Sequence, residues 1–326
     1  MKAAWYTKTG KAADVLQVGE LDNPIPVAGE VLVKIKASGI NPSDVKTRAG
    51  ARGELQFPKI IPHSDGSGEI IDVGEGVNKN RIGERVWIWN GAFGRAYGTC
   101  AELIALPELQ AVKINNEVSY DSAACMGIPA STAYYGILAN GSVKNKTLLI
   151  SGGAGAVGFY GIQIAKLAGA NVITTISNDE KAKIANNAGA DKVINYKNEN
   201  VFEEVMEYTN SNGVDRIFEV EFGGNLPLNE KIIKPNGVIA AYGSMAKMEP
   251  KLPFYNLMFK GVKIDTFLIY SIENKFREEI LTGLSELLNQ NSLKHMISKT
   301  YSIDKIIDAH EAMESGSIIG NIVIEV

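Results

Sequence analysis

Three glycines are the residues of this chain that point most directly to chemistry. Gly153-Ala154-Gly155-Ala156-Val157-Gly158 fits the spacing G-x-G-x-x-G and directly follows the apolar run Thr147-Leu148-Leu149-Ile150. Behind it Val157, Gly161, Ile164 and Ala168 mark one apolar helical face, so the motif joins a strand to a helix. In that setting each glycine has a mechanical task. Gly153 permits the tight turn, Gly155 lets backbone approach a pyrophosphate, and Gly158 lets helix and strand pack closely. The helix start, from Ala156 and Val157, offers unbonded N–H groups and partial positive charge to phosphates. A plain glycine-rich turn is the bland alternative. Strand, turn, helix and following strand are all in place, which favours a bound dinucleotide.

The second strand of such a unit decides between NAD and NADP. An acid at its end, about 20 residues past the glycines, holds the ribose 2′-hydroxyl of NAD. Here the strand ends Thr174-Thr175-Ile176-Ser177-Asn178, which is neutral, and Lys181 follows within one helical turn. Ser177 with Lys181 therefore predicts a 2′-phosphate and NADPH. The competing reading gives the acid's role to Asp179, makes Ser177 or Asn178 a plain helix cap and leaves Lys181 a solvated charge. Asp179 lies past the strand end where the ribose sits, which weighs against it.

Other reactive groups are scarce. The chain has three histidines, His63, His295 and His310, and two cysteines, Cys100 and Cys125. That is too few for a disulfide framework or a four-cysteine zinc lobe. His63 reads as a hydrogen-bonded turn residue and Cys125, in an apolar helical context, as a packed one. No Ser–His–Asp set and no paired carboxylates are evident. The formal net charge of −4 gives no reason to condense onto nucleic acid or anionic lipid. No stretch approaches the roughly 18 uncharged apolar residues of a membrane helix. With no signal-peptide pattern at Met1-Lys2-Ala3-Ala4-Trp5-Tyr6, a reducing cytoplasm is the expected home.

The elements that position these groups fall into two patterns. Up to about residue 120 the chain reads as short β segments. Val31, Val33 and Ile35 alternate with Lys34 and Lys36, and turns are marked at Asn23-Pro24, Asn41-Pro42, Gly66-Ser67-Gly68 and Gly74-Glu75-Gly76. Gly83 to Trp89 looks like a turn feeding a strand. A partly closed β barrel is the expectation. Asp121 to Ala124 can cap a helix that carries Ala124, Ile128, Ala133 and Tyr134, with Pro129 interrupting it. Strands are then expected at 147–151, 171–176, 192–195, 214–220, 237–242 and 263–267, with helices at 157–168, 179–188, 201–209 and 226–234 between them. This is a doubly wound parallel sheet. A helix at 274–288, then strand, helix and strand, returns to complete the first domain. The expected division is 1–122 with 268–326 as a β-rich catalytic domain, and 123–267 as a Rossmann NADP-binding domain: an α/β chain.

A β-rich domain ahead of a Rossmann domain invites comparison with the medium-chain alcohol dehydrogenases. Asn41 stands where a ligand cysteine would be, and Ser64, in His63-Ser64-Asp65-Gly66, where zinc enzymes place histidine; no metal is expected. Over its whole length the chain resembles the zinc-free quinone oxidoreductase (zeta-crystallin-like) branch of the medium-chain dehydrogenase/reductase superfamily. The resemblance rests on Gly39-Ile40-Asn41-Pro42-Ser43-Asp44, Val73-Gly74-Glu75-Gly76-Val77, Gly127 to Tyr134, the glycine motif, Ala188 to Tyr196, and Ala309-His310-Glu311-Ala312-Met313. It implies a GroES-like first domain, NADPH without metal, and a homodimer. It also implies that Asn41 and Thr132 line the nicotinamide pocket, Lys181 and Tyr196 approach the 2′-phosphate, and Gly243 and Ser244 edge the cofactor. Each has a bland counterpart: a turn former at Asn41, a surface strand residue at Tyr196, a strand-end turn at Gly243.

Two positions depart from the family. About eleven residues past the asparagine the branch often places a tyrosine beside the substrate, and here Arg52 stands there. Near the C-terminus a common Gly-Lys pair reads Gly320-Asn321, a departure at one expected cofactor contact. The reading that follows is hydride transfer to a quinone, with Asn41 or Arg52 as donor to the developing oxyanion. Asp44 either orients these neighbours or caps the segment from Val45. Reduction of enones or enoyl thioesters is the first rival, and a non-catalytic NADPH-binding regulator is the second.

Overall fold

The computed structural model describes Met1–Val326 and divides into two compact units, 1–129 with 281–326 and 130–280. In the first unit the strand Glu30–Ile40 is the organiser. It pairs antiparallel with Asp65–Val73, with Leu103–Pro107 along its early half, and with Asn321–Glu325 at its end. Arg85–Ile88 and Ala111–Lys113 extend the sheet on one side, and Ile297–Ser302, parallel to the last strand, on the other. The expected strand around Val31–Ile35 is therefore the spine of this sheet, and the C-terminal strand is zipped onto its far end. The alternation seen in sequence becomes a buried row of Val31, Val33, Ile35, Ile70, Val86, Ile88, Ile104 and Leu106. A second apolar cluster joins the N-terminal Ala3, Ala4 and Tyr6 to Ile306, Ala309, Ile322 and Ile324.

The second unit is a six-stranded sheet, parallel throughout, in the order Lys192–Asn195, Asn171–Ile176, Thr147–Ile150, Val214–Glu219, Ile233–Ala241, Lys263–Thr266. This is the Rossmann order, with the chain reversing direction across the sheet at its first strand. Helices Ala156–Leu167, Asp179–Ala188 and Val201–Tyr208 lie where the periodicity puts them. Leu149, Ile173, Ile194, Ile217 and Ile239 form the buried centre with Val205 and Ile232 from the helices.

Two segments differ from expectation. The fourth crossover helix runs over Phe222–Ile232, earlier than 226–234, and the next strand begins at Ile233. The cause is a local start signal: the Glu221 side chain accepts from Gly224 N–H, which opens the helix ahead of Pro227. The helix expected after Tyr120 is broken in three. Ser119, not Asp121, caps a short turn Tyr120–Ala123 by accepting from Ser122 N–H at 3.2 Å. A π turn, Met126–Ala130, then absorbs Pro129 before the helix Ser131–Leu138. The last helix ends against a buried charge, because Arg216 donates to the carbonyls of Ile137 and Asn140 at its C-terminus.

Candidate active site and cofactor cradle

The glycine turn in the second unit shows which glycines the fold itself requires. Gly152, which lies just outside the motif, takes the left-handed conformation (φ +72), so it rather than Gly153 makes the tight turn. Gly153 is needed for close packing instead: a Cβ there would lie 2.1 Å from Thr174 Oγ1. Thr174 donates to Ile150 O, and Thr175 accepts from the Gly152 N–H, so the second strand braces the turn. A Cβ on Gly158 would lie 2.3 Å from Gly152 O. Gly155 differs. It has ordinary extended backbone (φ −73, ψ 161), and its added Cβ would meet nothing closer than 3.4 Å. Nothing in the protein demands a glycine at 155, whereas a close ligand would. The helix Ala156–Leu167 has no side-chain cap, and its first bond runs from Phe159 N–H to Gly155 O. Its leading N–H groups, at Ala156, Val157 and Gly158, are thus left for an anion.

At the ends of the next two strands the residues expected for a 2′-phosphate converge. Lys181 folds back so that its ammonium donates to Ser177 Oγ at 3.1 Å. Tyr196 donates its N–H to Ile176 O, which places it beside Ser177, and its ring is about half exposed. Asn178 is the cap of helix Asp179–Ala188, accepting from Lys181 N–H at 2.9 Å, and Asp179 is exposed as the first residue of that helix. A positive and two neutral polar groups line this corner. Gly243 lies so close to the preceding loop that a Cβ would sit 2.4 Å from Val220 O. The Ser244 hydroxyl accepts from Gly223 N–H and donates to Lys247 O, so its role is to hold its own loop. Thr132 is buried in the first turn of helix Ser131–Leu138.

Sequence reasoning passed over Glu219. It is fully buried at the end of its strand and accepts from Glu221 N–H and from the amides of Asn225 and Asn229. The Asn225 amide also reaches Ser151 Oγ, tying Glu219 to the glycine turn. The signal available was an acid placed directly after the apolar pair Ile217-Phe218 at the end of a strand.

In the first unit Asn41 is the N-cap of helix Pro42–Arg48. Asp44, third in that helix, accepts from the Asn41 backbone N–H at 2.8 Å, so it supports the Asn41 turn and does not cap a segment starting at Val45. The Asn41 amide nitrogen donates to Asp65 Oδ2 at 2.8 Å. Both carboxyls are buried. Desolvation pushes Asp44 up to about 7 against the pull of Asn41 and the Arg52 charge, and raises Asp65 well above the usual range, with Asp44 adding to the rise. The fold thus assembles a carboxyl pair around Asn41 that sequence spacing did not show. Arg52 stands on an exposed loop between the left-handed Gly50 and Gly53, near enough for its charge to act on Asp44.

His63 is fully buried with a left-handed backbone (φ +77). Its Nδ1 lies 2.8 Å from Ser38 Oγ and its Nε2 lies 2.9 Å from His310 Nε2. Thr99 donates to Asp65 O, so donor counting runs the chain from His310 through His63 and Ser38 to Thr99. Both rings are then neutral, in keeping with burial lowering both. Cys100 and Cys125 are free and buried, and burial raises both thiols.

The family described as "Alcohol dehydrogenase GroES-like domain" matches residues 27–116, and "Zinc-binding dehydrogenase" matches 156–286. The chain belongs to the medium-chain dehydrogenase/reductase superfamily, in its quinone oxidoreductase branch. A human protein named quinone oxidoreductase is 27% identical over 297 residues, covering 90% of this chain and 88% of the relative. A mycobacterial protein solved with NADPH is 25% identical, with TM-score 0.86 and full coverage of both chains. A 2-haloacrylate reductase is also 25% identical, with TM-score 0.86 over 100% of this chain and 99% of that one. The zinc in the second family's description does not fit these residues. Asn41 and Ser64 offer neither thiolate nor imidazole, and no three His, Cys, Asp or Glu side chains cluster as a metal would need.

Proposed function

We propose that this chain oxidises NADPH and delivers the hydride to a small quinone without a metal ion. The observation that carries the cofactor half is the corner of Ser177, Lys181 and Tyr196, two hydroxyl-bearing groups and a cation at the ends of neighbouring strands. NADPH supplies the hydride, so the protein's task is alignment and exclusion of water. In this reading the turn from Gly153 to Gly158 holds the pyrophosphate, with Ala156 and Val157 giving N–H groups. Gly243 and Ser244 edge the cofactor, and Asn41 and Thr132 approach the nicotinamide. Arg52 stabilises charge developing on the quinone oxygen, and Asp44 supports Asn41 and tempers Arg52. The quinone half is supported by the relatives' names.

A screen of NADPH oxidation over quinones, enals, enones and crotonyl-CoA tests it. Turnover confined to quinones is the expected result. Turnover only with activated alkenes selects the second reading, which the likeness to a 2-haloacrylate reductase favours. Tight NADPH binding with no turnover on any acceptor overturns both. Purified protein is also expected to hold no stoichiometric zinc by elemental analysis.

A homodimer is part of the proposal. Its support on this chain is the open edge of strand Lys263–Thr266 and the exposed apolar helix Phe254–Phe259 that leads into it. Phe254, Tyr255 and Phe259 form an aromatic cluster there and are 58%, 66% and 81% exposed, more apolar surface than a free face ordinarily carries. No helix is long and apolar enough to cross a membrane, and the two free thiols suit a reducing cytoplasm.

A further inference from the structure

We propose that Asp65 is a positioning residue for hydride transfer: one of its carboxyl oxygens sets both the Asn41 amide and the turn that leads into the helix bearing Thr132. This rests on the reading that Asn41 and Thr132 approach the nicotinamide. Asp65 Oδ2 accepts from Asn41 Nδ2 at 2.8 Å and from Ile128 N–H at 3.0 Å. Ile128 lies in the π turn Met126–Ala130, and Ser131 and Thr132 follow directly. A single atom therefore joins the Asn41 turn to the Ile128 turn, which lie 24 residues before and 63 residues after Asp65 in sequence.

The surroundings are shaped for this side chain. Asp65 opens its strand opposite Gly39 and is 1% exposed. A Cβ on Gly39 would lie 3.2 Å from Asp65 Cβ, and one on Gly127 would lie 2.2 Å from Asp65 Oδ1. Two glycines thus clear the space the carboxyl occupies. Its other oxygen, Oδ1, is buried with no hydrogen-bond partner. A buried carboxyl with an unpartnered oxygen is costly, and an apolar side chain would fill the space more cheaply. What the carboxyl supplies is direction. A donor bond from Asn41 Nδ2 fixes which end of that amide is nitrogen and so the orientation of its plane.

A double-mutant cycle on kcat/KM and on the fluorescence of bound NADPH tests this. Asn41→Ala and Asp65→Ala are each expected to cut kcat/KM about tenfold and to shift the emission of bound NADPH. The double variant is expected to lose about tenfold, not the roughly hundredfold of independent sites. Asp65→Asn, which keeps an acceptor oxygen, recovers most of the Asp65→Ala loss, an outcome that simple destabilisation does not predict. Should Asp65→Ala fail to fold, Asp65→Ser takes its place in the cycle. Additive losses overturn the proposal while leaving Asn41 at the nicotinamide. Loss in Asp65→Ala with none in Asn41→Ala overturns it together with the Asn41 reading. If wild-type protein reduces no quinone, the functional reading fails separately, and non-additive emission shifts still uphold Asp65.

Discussion

Lys181 illustrates how far a single residue was legible. The neutral strand end and the lysine one turn later are visible in sequence, and the structure adds that the ammonium bends back to Ser177 with Asn178 taking the cap. NADPH is expected to bind at least about tenfold tighter than NADH, about 1.4 kcal/mol, and Lys181→Glu to abolish that preference. Equal wild-type affinities by titration would remove the basis for the 2′-phosphate corner. Arg52 was legible only as a departure from a family pattern. It stands on an exposed loop, and a guanidinium offers a planar acceptor a flat face and several donors. Arg52→Ala is expected to lower kcat/KM for a small quinone about ten- to a hundredfold, the effect of one charge-assisted donor at about 1.5–3 kcal/mol, with NADPH affinity unchanged. Wild-type kinetics would return Arg52 to plain solvent exposure. Asp65 was not legible at all. Its importance lies in bonds to Asn41 and Ile128, and no spacing rule connects those three positions.

At the scale of elements, the alternating strands and helices of the second unit were readable because each repeats one short pattern, an apolar strand followed by a helix of period 3.6. What failed were boundaries governed by single side-chain bonds, such as Glu221 opening its helix early and Ser119 capping a shorter one. The division of labour among the glycines was also hidden, because it depends on neighbours from the second strand. That division is testable. Gly158→Ala pushes a Cβ to 2.3 Å from a backbone oxygen that has no room to yield, and is expected to cost about 1–3 kcal/mol in chemical denaturation. Gly155→Ala introduces no such contact, so its denaturation midpoint is expected to match wild type while NADPH affinity falls by about tenfold or more. A Gly155→Ala protein that binds NADPH normally would show that the pyrophosphate does not approach this backbone.

At the scale of the whole molecule, buried titratable groups in the first unit are shifted in opposite directions, and each adds its own slope to the dependence of stability on pH. Burial lowers His310 to about 3, and His63 is lowered too, by burial and by His310 itself. These rings stay neutral in the fold but take up protons once unfolded, near the ordinary value of about 6.5. Their effect is a loss of stability as pH falls below about 6.5. Asp44 acts the other way. Burial raises it to about 7, so the fold retains a proton that the unfolded chain releases above about 3.8. Its contribution is fully present below that lower value and is lost as pH rises through about 7. Asp65, raised likewise, adds to this second effect. Between about pH 4 and 6.5 the lowered histidines, His63, His295 and His310, oppose the raised carboxyls, Asp44 and Asp65, so their slopes partly cancel. Removing one group from either side uncovers the other. His310→Gln is expected to tilt the profile toward greater relative stability in acid, and Asp44→Asn toward less. Each tilt is worth about 1.4 kcal/mol per pH unit, the effect of one proton. Denaturation midpoints of wild type and both variants from pH 4.5 to 6.5 measure it. Parallel profiles would mean that these buried groups titrate alike in the folded and unfolded chain, and the neutral histidine pair and the protonated carboxyl beside Asn41 would both have to be abandoned.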